Sequence, residues 1–171
     1  MNTILSRWNS LPAVQAADEI LPCAGSKAWA NSMAASRPFE DTVALYATAD
    51  HVWLELGEPD WLEGFCSHPR IGEHRSAQGQ ETAQQQQWST QEQSKSAQSS
   101  GDIKAAMAEA NREYEKKFGR IFLISASGKS SEEILQNLRK RLQNDDATEL
   151  DESAEQQRQI IQIRLRKWLN E

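Results

Sequence analysis

A chain of 171 residues, 38% apolar, with 8 glycines and 5 prolines, is long enough for one domain with its own core and unlike a disordered, collagenous or disulfide-stapled protein. Its formal charge of −6 at pH 7 argues against nucleic acid or an anionic membrane as the main partner, although a small anionic ligand needs only one local cation. No window approaches the roughly 18 consecutive apolar residues of a membrane span. The N-terminal residues lack a signal-peptide pattern, and Trp168-Leu169-Asn170-Glu171 is no peroxisomal address. Cys23 and Cys66 form no metal-type pair, so reduced thiols in a cytoplasmic protein are expected.

In chain order, Ser10 and Pro12 read as a cap and first-turn proline opening a short helix that Leu21-Pro22-Cys23 breaks. An Ala-rich stretch with Trp29 and Met33 four apart predicts a second helix over 24–36. A third runs from Phe39 to about Leu56 on Val43, Tyr46, Ala47 and Val52, and Asp60 to Phe65 adds a turn or two. Residues 73–88, polar and rich in Gln, read as an exposed loop or a poorly packed helix, with a new helix starting at Ser89 and running to about Gln98. Asp102 is expected to cap a long helix through Met107, Tyr114 and Phe118 that ends at Gly119. Ile121 to Ile124 is too short and isolated to found a sheet and predicts a buried extended connector. Ser130-Ser131-Glu132-Glu133 is a capping box opening the next helix, and Thr148 is expected to cap the last, which carries Ile161, Leu165 and Trp168. The pattern predicts an all-α, single-domain bundle of about eight helices over 1–171, without a sheet.

Three positions carry candidate chemistry. In Ser67-His68-Pro69-Arg70-Ile71-Gly72 the proline holds His68 off the helical region, a mount suited to a general acid or base. The same residues also suit a helix-terminating turn with a capping histidine. Glu92 completes an S-x-x-E pattern with Ser89, so a cap explains it as readily as catalysis. Arg164, with Ile160, Ile161 and Trp168 as helical neighbours, either snorkels outward or sits below the surface to meet an anion. His68, Glu73 and His74 share no helical face and match no zinc motif, Cys66 and His68 lack the partners of a thiol enzyme, and no nucleotide-binding glycine loop exists.

Taken in series, several segments resemble one family. They are Arg37-Pro38-Phe39, Ser67 to Gly72, Ser89-Thr90-Gln91-Glu92-Gln93, Asn111 to Gly119, Phe122 to Ala126, Gly128 to Leu135, Arg141-Leu142-Gln143-Asn144, and the terminal helix with Glu149-Leu150, Ala154 and Ile161 to Leu165. The family is the 2-oxo-4-hydroxy-4-carboxy-5-ureidoimidazoline (OHCU) decarboxylases of uric acid degradation. The resemblance implies an all-helical enzyme, free of cofactor and metal, that converts its ureidoimidazoline to (S)-allantoin with loss of CO2. It implies His68 as catalytic histidine, Glu92 as its acidic partner and Arg164 as the anion-facing arginine. Pro69, Ser89, Thr90, Gln91, Gln93 and the backbone of Phe122, Leu123, Ile124, Ser125 and Ala126 look like substrate contacts. Relatives also suggest a homodimer. Lys129 in place of a more usual Arg, Ser94-Lys95 after the Glu-Gln, and the Gln-rich segment depart from the family pattern. Two rival readings are a hydrolase of another ureide or cyclic amide, and a non-catalytic helical adaptor.

Overall fold

The computed structural model describes residues 2–73 and 81–170, and among them every regular element is helical. There are nine α-helices and one 3₁₀ turn among the described residues, where about eight helices were expected. The extra one is α1 (Thr3–Asn9), started by Asn2, whose side chain accepts from the Ile4 and Leu5 amides. The chain divides into two compact units, Met1–Gly64 with Arg158–Glu171, and Phe65–Gln157.

The first unit contains α1, α2 (Ala13–Ala24), α3 (Lys27–Ala35), α4 (Thr42–Glu55) and most of α5 (Glu58–Cys66), together with the end of α9 (Asp146–Trp168). Two boundaries differ from the sequence pattern. Pro12 is the cap residue of α2 and Ser10 closes α1. Helix α2 also continues through Pro22 to Ala24, because complete burial of Ile20 and Cys23 on either side outweighs the one donor that proline removes. The core is built on tryptophan: Trp8, Trp29 and Trp53 are fully buried, and the indole N–H groups of Trp8 and Trp29 donate to backbone carbonyls, Ala16 at 2.9 Å and Ala49 at 3.1 Å. Arg37 of the Arg-Pro-Phe motif donates to the carbonyls of Ala34, Trp8 and Leu11 at 2.8, 2.6 and 2.9 Å, linking the end of α3 to the end of α1 and the turn after it. That motif is therefore a structural tie between helix ends.

Burial separates the two thiols, Cys23 in the first unit and Cys66 in the second. Cys23 is wholly enclosed and its thiol is pushed up to about 12 by burial, against the opposing pull of the Arg164 charge, whereas Cys66 is partly exposed. A thiol-reactive disulfide at about pH 8 is expected to modify Cys66 and spare Cys23 in the folded chain. Equal reactivity of both would contradict the packing.

The second unit holds the end of α5, α6 (Ala83–Glu92), the 3₁₀ turn Ser96–Gln98, α7 (Gly101–Phe118), α8 (Ser131–Arg141) and the first part of α9. Its core is Met107, Tyr114, Phe118, Phe122, Ile124, Ile134, Leu135 and Leu138. Helix α7 is capped by Ser100, two residues before the expected Asp102, and closes as predicted on Gly119, whose φ of 68° is accessible to a residue without Cβ. Helix α8 opens on the predicted Ser130/Glu133 capping box. The start of α9 is fastened by Asp145, whose Oδ1 accepts from the Thr148 amide at 2.8 Å, so Thr148 lies inside the helix and is not its cap. Residues 121–126 are a buried connector without regular structure, in keeping with the short apolar run.

Candidate functional site

His68 follows directly on α5, with its amide donating to the Phe65 carbonyl at 3.2 Å, and Ser67, His68 and Pro69 are all buried. The turn after them is held from three sides. Gly72, at φ 91°, donates its amide to Gln93 Oε1 at 3.0 Å, and Asn111 Nδ2 donates to the Ile71 carbonyl at 3.2 Å. Arg70 grips both carboxylate oxygens of Glu115, one at 3.0 Å, and lies 3.6 Å from Glu73. These carboxylates raise the Arg70 guanidinium further above its ordinary value, so Arg70 is a strut for the loop and its charge is already matched.

The sequence pattern places Ser89 and Glu92 at a helix start; the structure places them in the last turn of α6. The real capping box lies seven residues upstream of Ser89, where Thr82 and Gln85 exchange side-chain and backbone hydrogen bonds. Gln is a good helix former, so the Gln run needs no apolar stripe to fold. The buried face of α6 is Gln85, Trp88, Ser89 and Glu92, at i, i+3, i+4 and i+7. That face is polar except for the tryptophan, which is why apolar periodicity does not reveal the helix. Of the expected contacts, Ser89 is buried, Gln93 partly so, and Thr90 and Gln91 are exposed. The part of the expected 73–88 loop at 74–80, His74 and any lid formed there lie outside the described residues.

Phe122 to Ala126 are all buried. With no neighbouring strand, their backbone is tied by side chains: Arg141 Nη1 donates to the Leu123 carbonyl at 2.7 Å, Gln156 Oε1 accepts from the Ser125 amide at 2.9 Å, and Lys129 Nζ donates to the Ser125 carbonyl at 2.7 Å. Among the described residues, the amide and carbonyl of Ile124 have no hydrogen-bond partner, an uncommon state for a buried peptide and one that suits a ligand contact. Behind the connector, Arg141 donates through Nε and Nη2 to Glu149 Oε1 at 2.9 and 2.6 Å and to Ser153 Oγ at 3.1 Å. Glu149 also accepts from Tyr114 and, at 2.9 Å, from Asn144.

Burial, and then the Glu149 acceptor, push the Tyr114 phenol from 10.0 up to about 12. Below the unfolded value the phenol is protonated in both states and its contribution to stability is constant. As pH rises toward 12 the unfolded chain ionises first, so that contribution is lost across 10.0 to about 12. One of the two tyrosines is therefore expected to show its tyrosinate absorbance only near pH 12 or on unfolding. Both titrating together around the ordinary value would contradict the network.

His68, Glu92 and the 122–126 connector thus belong to one unit, and ties link their segments. Gln93 meets Gly72, Lys95 Nζ donates to the Gly128 carbonyl at 2.8 Å, and Ser131 Oγ donates to the Ser96 carbonyl at 2.6 Å. Arg164 belongs to the other unit. There it is fully buried, with Nη1 3.3 Å from the Pro22 carbonyl, and does not snorkel. A cavity of about 730 Å³ in the second unit is lined by Arg70, Ile71, Thr90, Gln93, Met107 and Asn111 among others, and neither His68 nor Glu92 is in its lining. Among the described residues no three His, Cys, Asp or Glu side chains gather as a metal site, and no helix is long and apolar enough to cross a membrane.

Residues 9–166 match the family model described as OHCU decarboxylase. The chain belongs to that family. A solved OHCU decarboxylase, crystallised in the presence of (S)-allantoin, is 35% identical with a TM-score of 0.76, covering 90% of this chain and 99% of its own. The uric acid degradation bifunctional protein TTL of Arabidopsis thaliana is 36% identical over 88% of this chain. A uric acid degradation bifunctional protein of Bacillus sp. (strain TB-90) is 24% identical over 80% of it. The chain spans 46% of the first relative's length and 26% of the second's. A solved (S)-allantoin synthase, 18% identical with a TM-score of 0.70, shares the fold.

The network behind the connector carries no chemical motif in the sequence. Arg141, Asn144 and Glu149 lie within segments that carry the resemblance, but their spacing follows no helical face and gives no hint that they meet.

Proposed function

We propose that the chain is a carboxy-lyase that converts OHCU to (S)-allantoin in uric acid degradation, without cofactor or metal, and that 1–171 works as a single catalytic domain. The observation that carries this is near-complete coverage, 99%, of a solved OHCU decarboxylase by a chain that buries both His68 and Glu92. Loss of CO2 breaks the carbon–carboxylate bond and leaves its electron pair on the ring carbon, spread over adjacent atoms. Protonation from one face then yields a single enantiomer. His68, on a loop braced by Gln93, Asn111 and Arg70, supplies that proton directionally. Glu92 either orients the imidazole or accepts from the substrate hydroxyl. Ile124 offers an amide and a carbonyl to the ureido and ring amide groups, whose polar atoms need partners once water is excluded. Arg164 enters by its family position, as the cation that offsets substrate charge; Arg164→Met should lose activity.

Pro69, Ser89, Thr90, Gln91 and Gln93, with Phe122, Leu123, Ser125 and Ala126, are proposed as the remaining contacts. The proposal includes a cytoplasmic setting, in which both cysteines stay reduced, and a homodimer. Headspace CO2 measured with freshly generated substrate tests the reaction class. Stoichiometric CO2 beyond the spontaneous rate, undiminished after dialysis against a chelator, is expected. A ureide hydrolase would consume substrate without CO2, and an adaptor would leave the spontaneous rate unchanged.

A further inference from the structure

The peptide groups on either side of Ile124 are each held at the end facing away from Ile124. Arg141 holds the Leu123 carbonyl, and Gln156 holds the Ser125 amide. A trans peptide is planar with its N–H and C=O opposed. Fixing the Leu123 carbonyl therefore aims the Ile124 N–H, and fixing the Ser125 N–H aims the Ile124 C=O. Arg141 also stacks over the Phe122 ring, 4.6 Å from its centroid, so it grips two consecutive residues of the connector. Its own direction is set by Glu149, fully buried and held in turn by Tyr114 and Asn144. Lys129 closes the far end on the Ser125 carbonyl.

We propose that Arg141 and Gln156 are positioning residues that present Ile124 as a preset donor–acceptor pair for an amide or ureide edge of the substrate. This rests on reading 122–126 as a substrate contact. The clamp does the orienting that a sheet ladder would do elsewhere, and it supplies recognition to a stretch whose Phe122, Ile124 and Ala126 side chains are spent on the core.

Arg141→Lys keeps a cation but cannot hold Glu149, Ser153 and the Leu123 carbonyl together; Gln156→Leu removes the Ser125 acceptor from a half-buried site. Both are compared with the parent by steady-state kinetics, by allantoin titration followed on amide NMR spectra, and by thermal melting. We expect the Ile124 amide of the parent to shift on adding allantoin. In the variants kcat/KM should fall by about tenfold to a hundredfold, with weaker allantoin binding, at a temperature where both are folded. A merely structural role would lower the melting temperature and leave kcat/KM of the folded protein unchanged; that result overturns the clamp. If Arg141→Lys does not fold, Gln156→Leu decides alone. An Ile124 amide in the active parent that ignores allantoin would instead overturn the underlying reading of the connector.

Discussion

His68→Ala is expected to lose about 10²–10⁴-fold in turnover, the range ascribed to one positioned proton donor, and its product should approach a racemate. The variant keeps the ties that hold the Ser67 to Gly72 turn at Gly72, Ile71 and Arg70. Its melting curve should therefore stay close to the parent's, so lost turnover would report chemistry. Free imidazole diffusing into the vacated space should restore part of the rate without restoring enantioselectivity, since a loose donor reaches both faces. Unimpaired turnover in His68→Ala would remove this residue from the mechanism.

Glu149→Leu is expected to be the most destabilising single change in the second unit. The carboxylate is fully buried and serves Arg141, Tyr114 and Asn144 at once. Removing it strands a buried guanidinium, a loss of about 3–5 kcal/mol. For a chain of this size that corresponds to a fall in Tm of about 6–20 °C. Arg141→Met combined with Glu149→Leu should melt well above Glu149→Leu alone, because no uncompensated charge is left inside. A Glu149→Leu melting curve matching the parent would show that the network contributes nothing.

Much of the architecture is legible in the residues. The helical composition, the Ser130/Glu133 box, Gly119 as a terminator and the isolated run at 121–124 all reappear in the structure because each is a local preference that packing does not oppose. Helix α6 is misread for a physical reason: its inward face is Gln85, Ser89 and Glu92, and a polar buried face carries no apolar period. Pro22 and Thr148 mislead because burial at Ile20 and Cys23 and a nearby acid at Asp145 override single-residue signals. The Arg141–Glu149 pairing is invisible beforehand because only the tertiary fold brings those positions together.

The measurement that bears most directly on the central claim is circular dichroism of freshly generated OHCU incubated with the purified chain. The account requires the signal of (S)-allantoin to rise faster than spontaneous decay and to end in a single enantiomer. A racemic product formed at the spontaneous rate would contradict it.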